Sequence, residues 1–202
     1  MFQASIEPWL LLAFFAVYFL IAFVWRSVWV WRETGINPYN SAGPDNTHRF
    51  SMRAFRILLV VLTLWLLASA LFPELQAFAG PMEWLEDPVL TIMGWIMLGV
   101  ALLWTALAEI HMGRSWRIGI DTGRAANLVT DGLFALSRNP VFLGMRLGLC
   151  GLFLVQPNAL TLAIAVAGDI LIQIQVRLEE AHLLKIHEEK YAEYRHSVRR
   201  WL

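Results

Sequence analysis

The sequence is poor in charge and in cysteine. Only 16% of its 202 residues are charged, and the 16 acidic and 16 basic side chains cancel. The single cysteine, Cys150, excludes an intrachain disulfide framework, and its apolar surroundings favour a packing role. The balanced charge gives no reason to expect a nucleic acid partner. Four histidines in the second half form no i,i+4 pair and have no cysteine partner, so we expect no metal site.

Hydrophobic residues make up 58% of the chain, and they gather into five runs between charged segments. A bilayer core of about 30 Å needs roughly 20 apolar residues as a helix. The last two runs are short, and only Gln156, Pro157 and Asn158 part them, which predicts a tight helical hairpin. The sequence therefore predicts an all-α integral membrane protein with five transmembrane helices. The runs are Trp9–Trp31, Ile57–Phe72, Val89–Ala108, Val141–Val155 and Ala159–Val176.

Basic residues alternate between the loops. The first and third loops carry four arginines each and the tail five Lys or Arg, whereas the loop at residues 73–88 has four acidic residues and no basic one. Short cytosolic loops carry the excess of Lys and Arg. We therefore expect the N-terminus outside and the C-terminus in the cytosol, in a prokaryotic inner membrane or a eukaryotic endomembrane.

The two halves of the chain differ in character, although we expect a single structural domain. Residues 1–108 form three spans nearly free of internal charge and are predicted to be a membrane scaffold. Residues 109–202 place polar groups at membrane depth, so we expect function there. In the loop after the third span, a short strand is conceivable at residues 115–120 and an extended segment at 127–134. The tail, residues 179–200, has the period of an amphipathic helix that lies on the membrane or closes a pocket.

A polar stripe follows the last two spans. Arg146 lies inside the fourth, and Asp169, Gln173, Arg177 and Glu180 follow on the fifth at steps of four, four and three residues. These steps place the four residues on one helix face. Ionised groups at such depth cost about 2.5–3.5 kcal/mol each, so they must face protein, water or one another. Simple neutralisation of partners is one explanation, and a hydrophilic pocket open to the cytosol explains the alignment more economically.

The stretch at residues 138–144 places a helix start beside a basic side chain. Pro140 at the first helical position is an ordinary structural choice. However, Arg138 and the free amides of that helix end could also bind an anionic or polar ligand group.

Several short motifs occur in a definite order. They are Leu-Val-Thr-Asp-Gly-Leu-Phe at 128–134, Ser-Arg-Asn-Pro-Val-Phe-Leu-Gly at 137–144, Arg-Leu-Glu-Glu at 177–180 and Tyr-Ala-Glu-Tyr at 191–194. Over residues 110–200 this order resembles the isoprenylcysteine carboxyl methyltransferase and phospholipid methyltransferase superfamily. The resemblance implies an S-adenosylmethionine-dependent membrane methyltransferase whose lipid-like or prenylated acceptor enters from the bilayer, with residues 109–202 as its core. The sequence gives no indication of an obligate protein partner.

The resemblance also assigns the cofactor pocket. Three departures from the family pattern stand out: Asn139 replaces a histidine, Glu188 stands where glycine is common, and Phe134 and Phe142 lack tyrosine hydroxyls. The residues implied to bind the cofactor are Thr130, Gly132, Phe134, Arg138, Asn139, Pro140, Phe142, Gly144, Glu179, Glu180, Tyr191 and Tyr194.

The chemistry of methyl transfer suggests the catalytic candidates. Arg138 could hold the carboxylate end of the cofactor. A carboxylate acceptor needs a cationic clamp, for which Arg146 or Arg177 would serve. An amine acceptor needs a base, for which Glu180 or Asp169 is available. We therefore take Arg146, Arg177 and Glu180 as catalytic candidates.

Two other functions compete with this interpretation. Membrane reductases of the sterol reductase type bind NADPH and resemble the same motifs, but they are usually longer and their tail differs around the corresponding Arg-x-x-Glu. A non-enzymatic membrane scaffold would need its polar residues only for folding. Five spans and the Arg-Leu-Glu-Glu motif favour the methyltransferase.

Overall fold

The computed structural model describes residues 6–35, 46–116 and 127–202. Four helices in these ranges are long and apolar enough to cross a membrane, and a fifth, with 16 residues, is shorter. No strand occurs among these residues, which confirms the prediction of an all-helical membrane protein. Of the short strand considered at residues 115–120, residues 117–120 lie outside the described residues. The helices are α1 (Ile6–Thr34), α2 (Asn46–Leu71), α3 (Pro88–Met112), α4 (Pro140–Val155) and α5 (Ala159–Ser197).

Two helix starts follow ordinary capping rules. The side chain of Asp87 accepts hydrogen bonds from the amides of Val89 (2.8 Å) and Leu90 (3.3 Å) at the start of α3. The side chain of Asn158 caps α5 by accepting from the Thr161 amide at 2.9 Å. Caps of this kind satisfy amides that have no partner inside the helix. Since only residues 156–158 separate α4 from α5, this cap also sets where the chain reverses.

The bounds of two helices differ from the sequence prediction. Hydropathy placed the start of the second span at Ile57, whereas α2 begins at Asn46, because its first turns carry arginines that a hydropathy pattern leaves out. The predicted amphipathic tail begins as a continuation of the apolar part of α5 and ends in a second helical segment beyond a kink. A break at Glu188, where φ is +42°, sets off the last turns of α5 from its apolar part.

The core lies where all five helices meet, and Ile164 of α5, which is 3% exposed, belongs to it. Leu11, Leu66, Leu98 and Leu152, one from each of α1 to α4, are each at most 1% exposed. The helices α3 and α4 approach most closely, since a Cβ atom on Gly151 would lie 2.9 Å from the carbonyl oxygen of Gly94. Small residues permit this close packing of helices. The pair α3–α4 is thus closely packed, and α5 lies beside it.

A buried polar layer joins α1 to α3. The Tyr18 hydroxyl lies 2.8 Å from Thr105 Oγ1, and the Arg26 guanidinium donates to the carbonyl of Gly113 at 2.9 Å. Arg26 and Glu109 are only 2% and 1% exposed. A π-helical segment, Leu20–Trp25, lies between Tyr18 and Arg26 in α1. The first half is therefore less purely apolar inside than its sequence suggested.

Candidate active site

Glu180 lies at the centre of a buried charge cluster. Arg200 donates to both carboxylate oxygens, from Nε at 3.1 Å and from Nη2 at 2.8 Å. Asn139 Nδ2 donates to Oε1 at 3.1 Å, and Arg138 Nη2 lies 3.3 Å from the same oxygen. The side chains of Glu180 and Arg138 are both 8% exposed. We refer to Arg138, Asn139, Glu180 and Arg200 as the Glu180 cluster.

The cluster keeps Glu180 ionised. This residue lies beyond the apolar part of α5, which ends near Val176. Burial by itself raises the pKa of the Glu180 carboxyl, but the hydrogen bond from Arg200, the charge of Arg138 and the hydrogen bond from Asn139 outweigh it and lower the pKa. Because both oxygens are engaged, this carboxylate is suited to hold segments together and not to accept a proton.

The last residues of the chain fold back onto the start of α4. We call residues 198–202 the C-terminal strap. The carbonyl of Arg199 accepts from the Arg138 amide at 3.0 Å, and the carbonyl of Arg200 accepts from Ser137 Oγ at 3.1 Å. Arg138 also donates to the carbonyl of Arg195 at 2.9 Å. The strap therefore joins the loop before α4 to the end of α5.

Two aromatic rings from the end of α5, those of Tyr191 and Tyr194, pack near the loop before α4. The hydroxyl of Tyr194 donates to the carbonyl of Phe134 at 2.6 Å, and the rings of Tyr191 and Tyr194 are 6.0 Å apart. Tyr191 is 1% exposed, and its hydroxyl has no hydrogen-bond partner among the described residues. Burial raises the pKa of Tyr191 to about 12, with a smaller contribution from the charge of Glu180. A buried hydroxyl without a partner costs free energy, so it fits a site that a ligand completes.

The start of α4 also leaves hydrogen-bonding capacity. Pro140 occupies the first position of α4, and Asn139 directs its side chain to Glu180 without capping the helix. Uncapped first-turn amides can bind an anionic group. The Nε atom of Arg138 is likewise buried and has no partner in the described part of the chain. These groups and the Tyr191 hydroxyl border the Glu180 cluster.

The remaining predicted pocket residues have varied surroundings. Gly132 has φ +59° and packs against the ring of His111, so close that a Cβ atom would lie 2.8 Å from it. Gly144 packs against Thr105 Oγ1, where a Cβ atom would collide. Glu179 accepts a hydrogen bond from Gln175, one turn earlier on α5, at 3.0 Å. Thr130 is exposed and Phe142 is half-buried.

The structure divides the polar stripe of α5 between different neighbours. Asp169 pairs with Arg146, with Nε and Oδ1 2.5 Å apart, and the Arg146 guanidinium lies 4.5 Å from the centre of the Trp201 ring. Arg177 is exposed and donates a hydrogen bond to the carbonyl of Gln173 in its own helix, at 3.5 Å. Of the three catalytic candidates, Glu180 lies in the Glu180 cluster, Arg146 forms a second ion pair, and Arg177 joins neither.

The sequence prediction missed several residues that complete the site. Arg200 and Trp201 were not singled out, nor were Ser137 and Ser51, whose hydroxyl donates to Gln175 at 2.9 Å. These residues are distant in sequence from their partners, so no local pattern pairs them. The available signal was that Arg200 is one of the five basic residues of the tail.

This chain is similar to two kinds of known protein. The family model for phospholipid methyltransferases matches residues 115–190. The protein-S-isoprenylcysteine O-methyltransferase of Saccharomyces cerevisiae is 27% identical over 137 residues, which cover 66% of this chain and 56% of that protein. The chain thus spans little more than half the length of this relative. Both matches confirm the resemblance that the order of the motifs predicted.

Proposed function

We propose that this chain, a relative of the isoprenylcysteine carboxyl methyltransferases and phospholipid methyltransferases, is a membrane enzyme that transfers a methyl group from S-adenosylmethionine to an amphiphile. The observation that carries the proposal is the convergence of the motif residues. Arg138, Asn139 and Glu180, which are separated by up to 42 positions, meet within hydrogen-bonding distance, and the C-terminal strap covers them.

The residues around the Glu180 cluster fit the chemistry of this cofactor. S-adenosylmethionine supplies a methyl group on a sulfonium cation and also carries a ribose and an amino-acid end. The rings of Tyr191 and Tyr194 offer faces that attract a cation. The Tyr191 hydroxyl, Arg138 Nε and the first-turn amides of α4 offer hydrogen bonds that no described residue uses. These groups would hold the ribose and the carboxylate end.

The chain itself supplies alignment and exclusion of water. An in-line displacement needs aligned reactants in a dry site more than it needs a nucleophile on the protein. The ion pairs of Glu180 with Arg138 and Arg200 hold the loop, α5 and the C-terminal strap in one arrangement. We assign Glu180 this positioning role and not that of the base, because both of its oxygens accept hydrogen bonds from arginine or asparagine.

The acceptor reaches the site from the bilayer in this proposal. We take the short α4 as the fourth of five crossings and the N-terminus as external, so that the Glu180 cluster faces the cytosol, as the loop charges indicate. The acceptor is a lipid-like or prenylated molecule with a carboxylate or an amine. Arg146 lies at membrane depth and Arg177 near the end of the apolar part of α5, and either could contact its polar end.

Calorimetry with S-adenosylhomocysteine, the product of the cofactor, tests the proposal. We expect the purified full chain in detergent to bind it with a Kd in the micromolar range, about −7 to −8 kcal/mol. NADPH, titrated in parallel, should give no heat of binding. Binding of NADPH without S-adenosylhomocysteine would overturn the proposal in favour of a reductase, and binding of neither would favour a scaffold.

A further inference from the structure

The ion pair of Arg146 and Asp169 lies inside the apolar parts of α4 and α5. Arg146 is nine residues before the end of α4 and Asp169 ten residues after the start of α5. At 1.5 Å per residue, both are about 14–15 Å from the turn between these helices. Half of a hydrocarbon core about 30 Å thick has the same depth. Arg146 is also six residues, or about 9 Å, after the start of α4, so the pair lies inside the hydrocarbon core and nearer to its cytosolic side than to the turn.

This pair is not buried in the protein. The side chain of Arg146 is 31% exposed and that of Asp169 is 42% exposed. Ionised groups facing hydrocarbon at mid-membrane cost about 2.5–3.5 kcal/mol each. Trp201 covers one face of the guanidinium, at 4.5 Å from its ring centre, but this leaves the outer edge uncovered. Something polar must cover that edge in the membrane.

The uncovered edge has the hydrogen-bonding pattern of an anion site. Arg146 uses Nε for Asp169, and its two terminal nitrogens make no hydrogen bond to any residue that the structure describes. A guanidinium presents such paired N–H groups to a carboxylate or phosphate in a planar, bidentate manner. Ring stacking and the bond to Asp169 hold the guanidinium plane in a defined orientation.

The local charge favours an anion over a cation. The Glu180 cluster and the Arg146–Asp169 pair together contain three arginines and two carboxylates, which leaves one net positive charge. The C-terminal strap links the two groups, because Arg200 binds Glu180 and the next residue, Trp201, stacks on Arg146. The outer edge of Arg146 is thus one residue of the strap away from the proposed cofactor site.

We infer that Arg146, held by Asp169 and covered by Trp201, is the subsite for the anionic oxygen group of an amphiphile that enters laterally from the bilayer. The inference rests on the proposed methyltransferase function and deepens it, since the amphiphile would be the methyl acceptor. A carboxylate or a phosphate supplies the same chemistry. Arg146 binds and positions the acceptor, while the cofactor side of the site is made by the Glu180 cluster.

Titration of simple amphiphiles into the detergent-solubilised full chain tests the subsite. The probes are dodecanoate, dodecyl phosphate and dodecylammonium, each also titrated into empty micelles. We expect one or both anionic probes to bind and the ammonium probe not to bind. The stronger of the two anions identifies a carboxylate or a phosphate source. Preferred binding of dodecylammonium, or binding of none of the three, overturns the inference.

Substitutions locate the binding to Arg146. Arg146→Gln should lower the affinity for the anionic probe at least tenfold, about the factor expected for losing a charge-assisted bidentate contact. Arg32→Gln, which removes an exposed arginine at the end of α1, is the matched control and should bind like the wild type. Equal binding by Arg146→Gln and the control overturns the inference.

Two further variants keep the test informative if Arg146→Gln does not fold. The double variant Arg146→Gln/Asp169→Asn leaves neither charge unpaired, so it should fold, and it should also lose the anionic probe. Trp201→Ala should lower the affinity for the anionic probe, and Trp201→Phe should keep that affinity. Retained affinity in the double variant overturns the inference.

Affinity for S-adenosylhomocysteine separates this inference from the proposed function. It should stay within about twofold of the wild type in Arg146→Gln, because no bond of the Glu180 cluster is removed. A wild-type chain that binds the anionic probe but no S-adenosylhomocysteine would contradict the methyltransferase and leave an anion subsite. A chain that binds S-adenosylhomocysteine but no anionic probe would contradict the subsite alone.

Discussion

Arg200 and Glu180 form a bidentate ion pair between the C-terminal strap and the last long helix. Nε and Nη2 of Arg200 lie 3.1 and 2.8 Å from the two carboxylate oxygens. A bidentate pair fixes direction as well as distance. It therefore determines where the strap crosses the start of α4 and, through the next residue, places Trp201 on Arg146.

Glu180→Gln should destabilise the protein. It would leave Arg138, with a side chain 8% exposed, as an uncompensated buried charge, a change that usually costs about 3–5 kcal/mol. We expect the lower end, because Arg200 is 31% exposed. Thermal unfolding in detergent and the affinity for S-adenosylhomocysteine measure the effect. Glu189→Gln, an exposed position on the same helix, is the control, and equal melting temperatures for both variants would refute the stabilising role of the Glu180 cluster.

Tyr191→Phe separates ligand binding from stability. The Tyr191 hydroxyl has no partner among the described residues, so its loss should leave the ligand-free melting temperature unchanged or slightly raised. Tyr191→Phe should lower the affinity for S-adenosylhomocysteine severalfold. Tyr194→Phe removes a bond to the Phe134 carbonyl and should lower ligand-free stability by about 1 kcal/mol. Unchanged ligand affinity in Tyr191→Phe would place the hydroxyl outside the site.

Glu188→Gly should stabilise the end of α5. Glu188 has φ +42°, a conformation that costs a residue other than glycine about 1–3 kcal/mol. Glycine removes that strain but adds about 0.4–1 kcal/mol of chain entropy in the unfolded state. We expect a net gain of about 1 kcal/mol from these opposing effects. Glu188→Ala keeps a Cβ atom and should change little. A melting temperature that falls in the glycine variant would contradict this account.

Gly144→Ala should push α4 away from α3 and lower the stability of the protein. The new Cβ atom would collide with Thr105 Oγ1 and lie 3.3 Å from the carbonyl of Ala101. Overpacking of this kind costs about 1–3 kcal/mol. Gly148→Ala, one turn further along α4, would place its Cβ atom 3.7 Å from Ala101, an ordinary contact. Its stability should be unchanged or higher, since alanine favours helices. Equal losses in both variants would argue against close packing at Gly144.

Acidic conditions should weaken the ion pairs of the Glu180 cluster. The native cluster lowers the pKa of Glu180, so its stabilisation is complete above the unfolded carboxyl pKa of about 4.3. That stabilisation is lost as the pH falls through the lower native pKa. Melting temperatures measured between neutral and acidic pH should therefore fall below about pH 4 in the wild type, and less steeply in Glu180→Gln. Parallel curves would exclude Glu180 as the group responsible.

The sequence by itself determined the helical membrane character of the chain and the region of its motifs. Apolar runs such as Val89–Ala108 are long enough to require a helix in a bilayer, where each backbone polar group must be bonded internally. The order of the motifs around Arg138, Glu180 and Tyr191 also indicated which segments meet. Such signals are readable because each depends on residues close together in the chain.

Only the tertiary structure decided which polar side chains contact one another. Helical spacing placed Asp169, Arg177 and Glu180 on one face of α5, but the helix packs against different elements along its length. Asp169 therefore meets Arg146, Glu180 meets Arg200, and Arg177 is exposed. The period of a helix gives direction around its own axis. What lies in that direction depends on long-range packing, which no local pattern encodes.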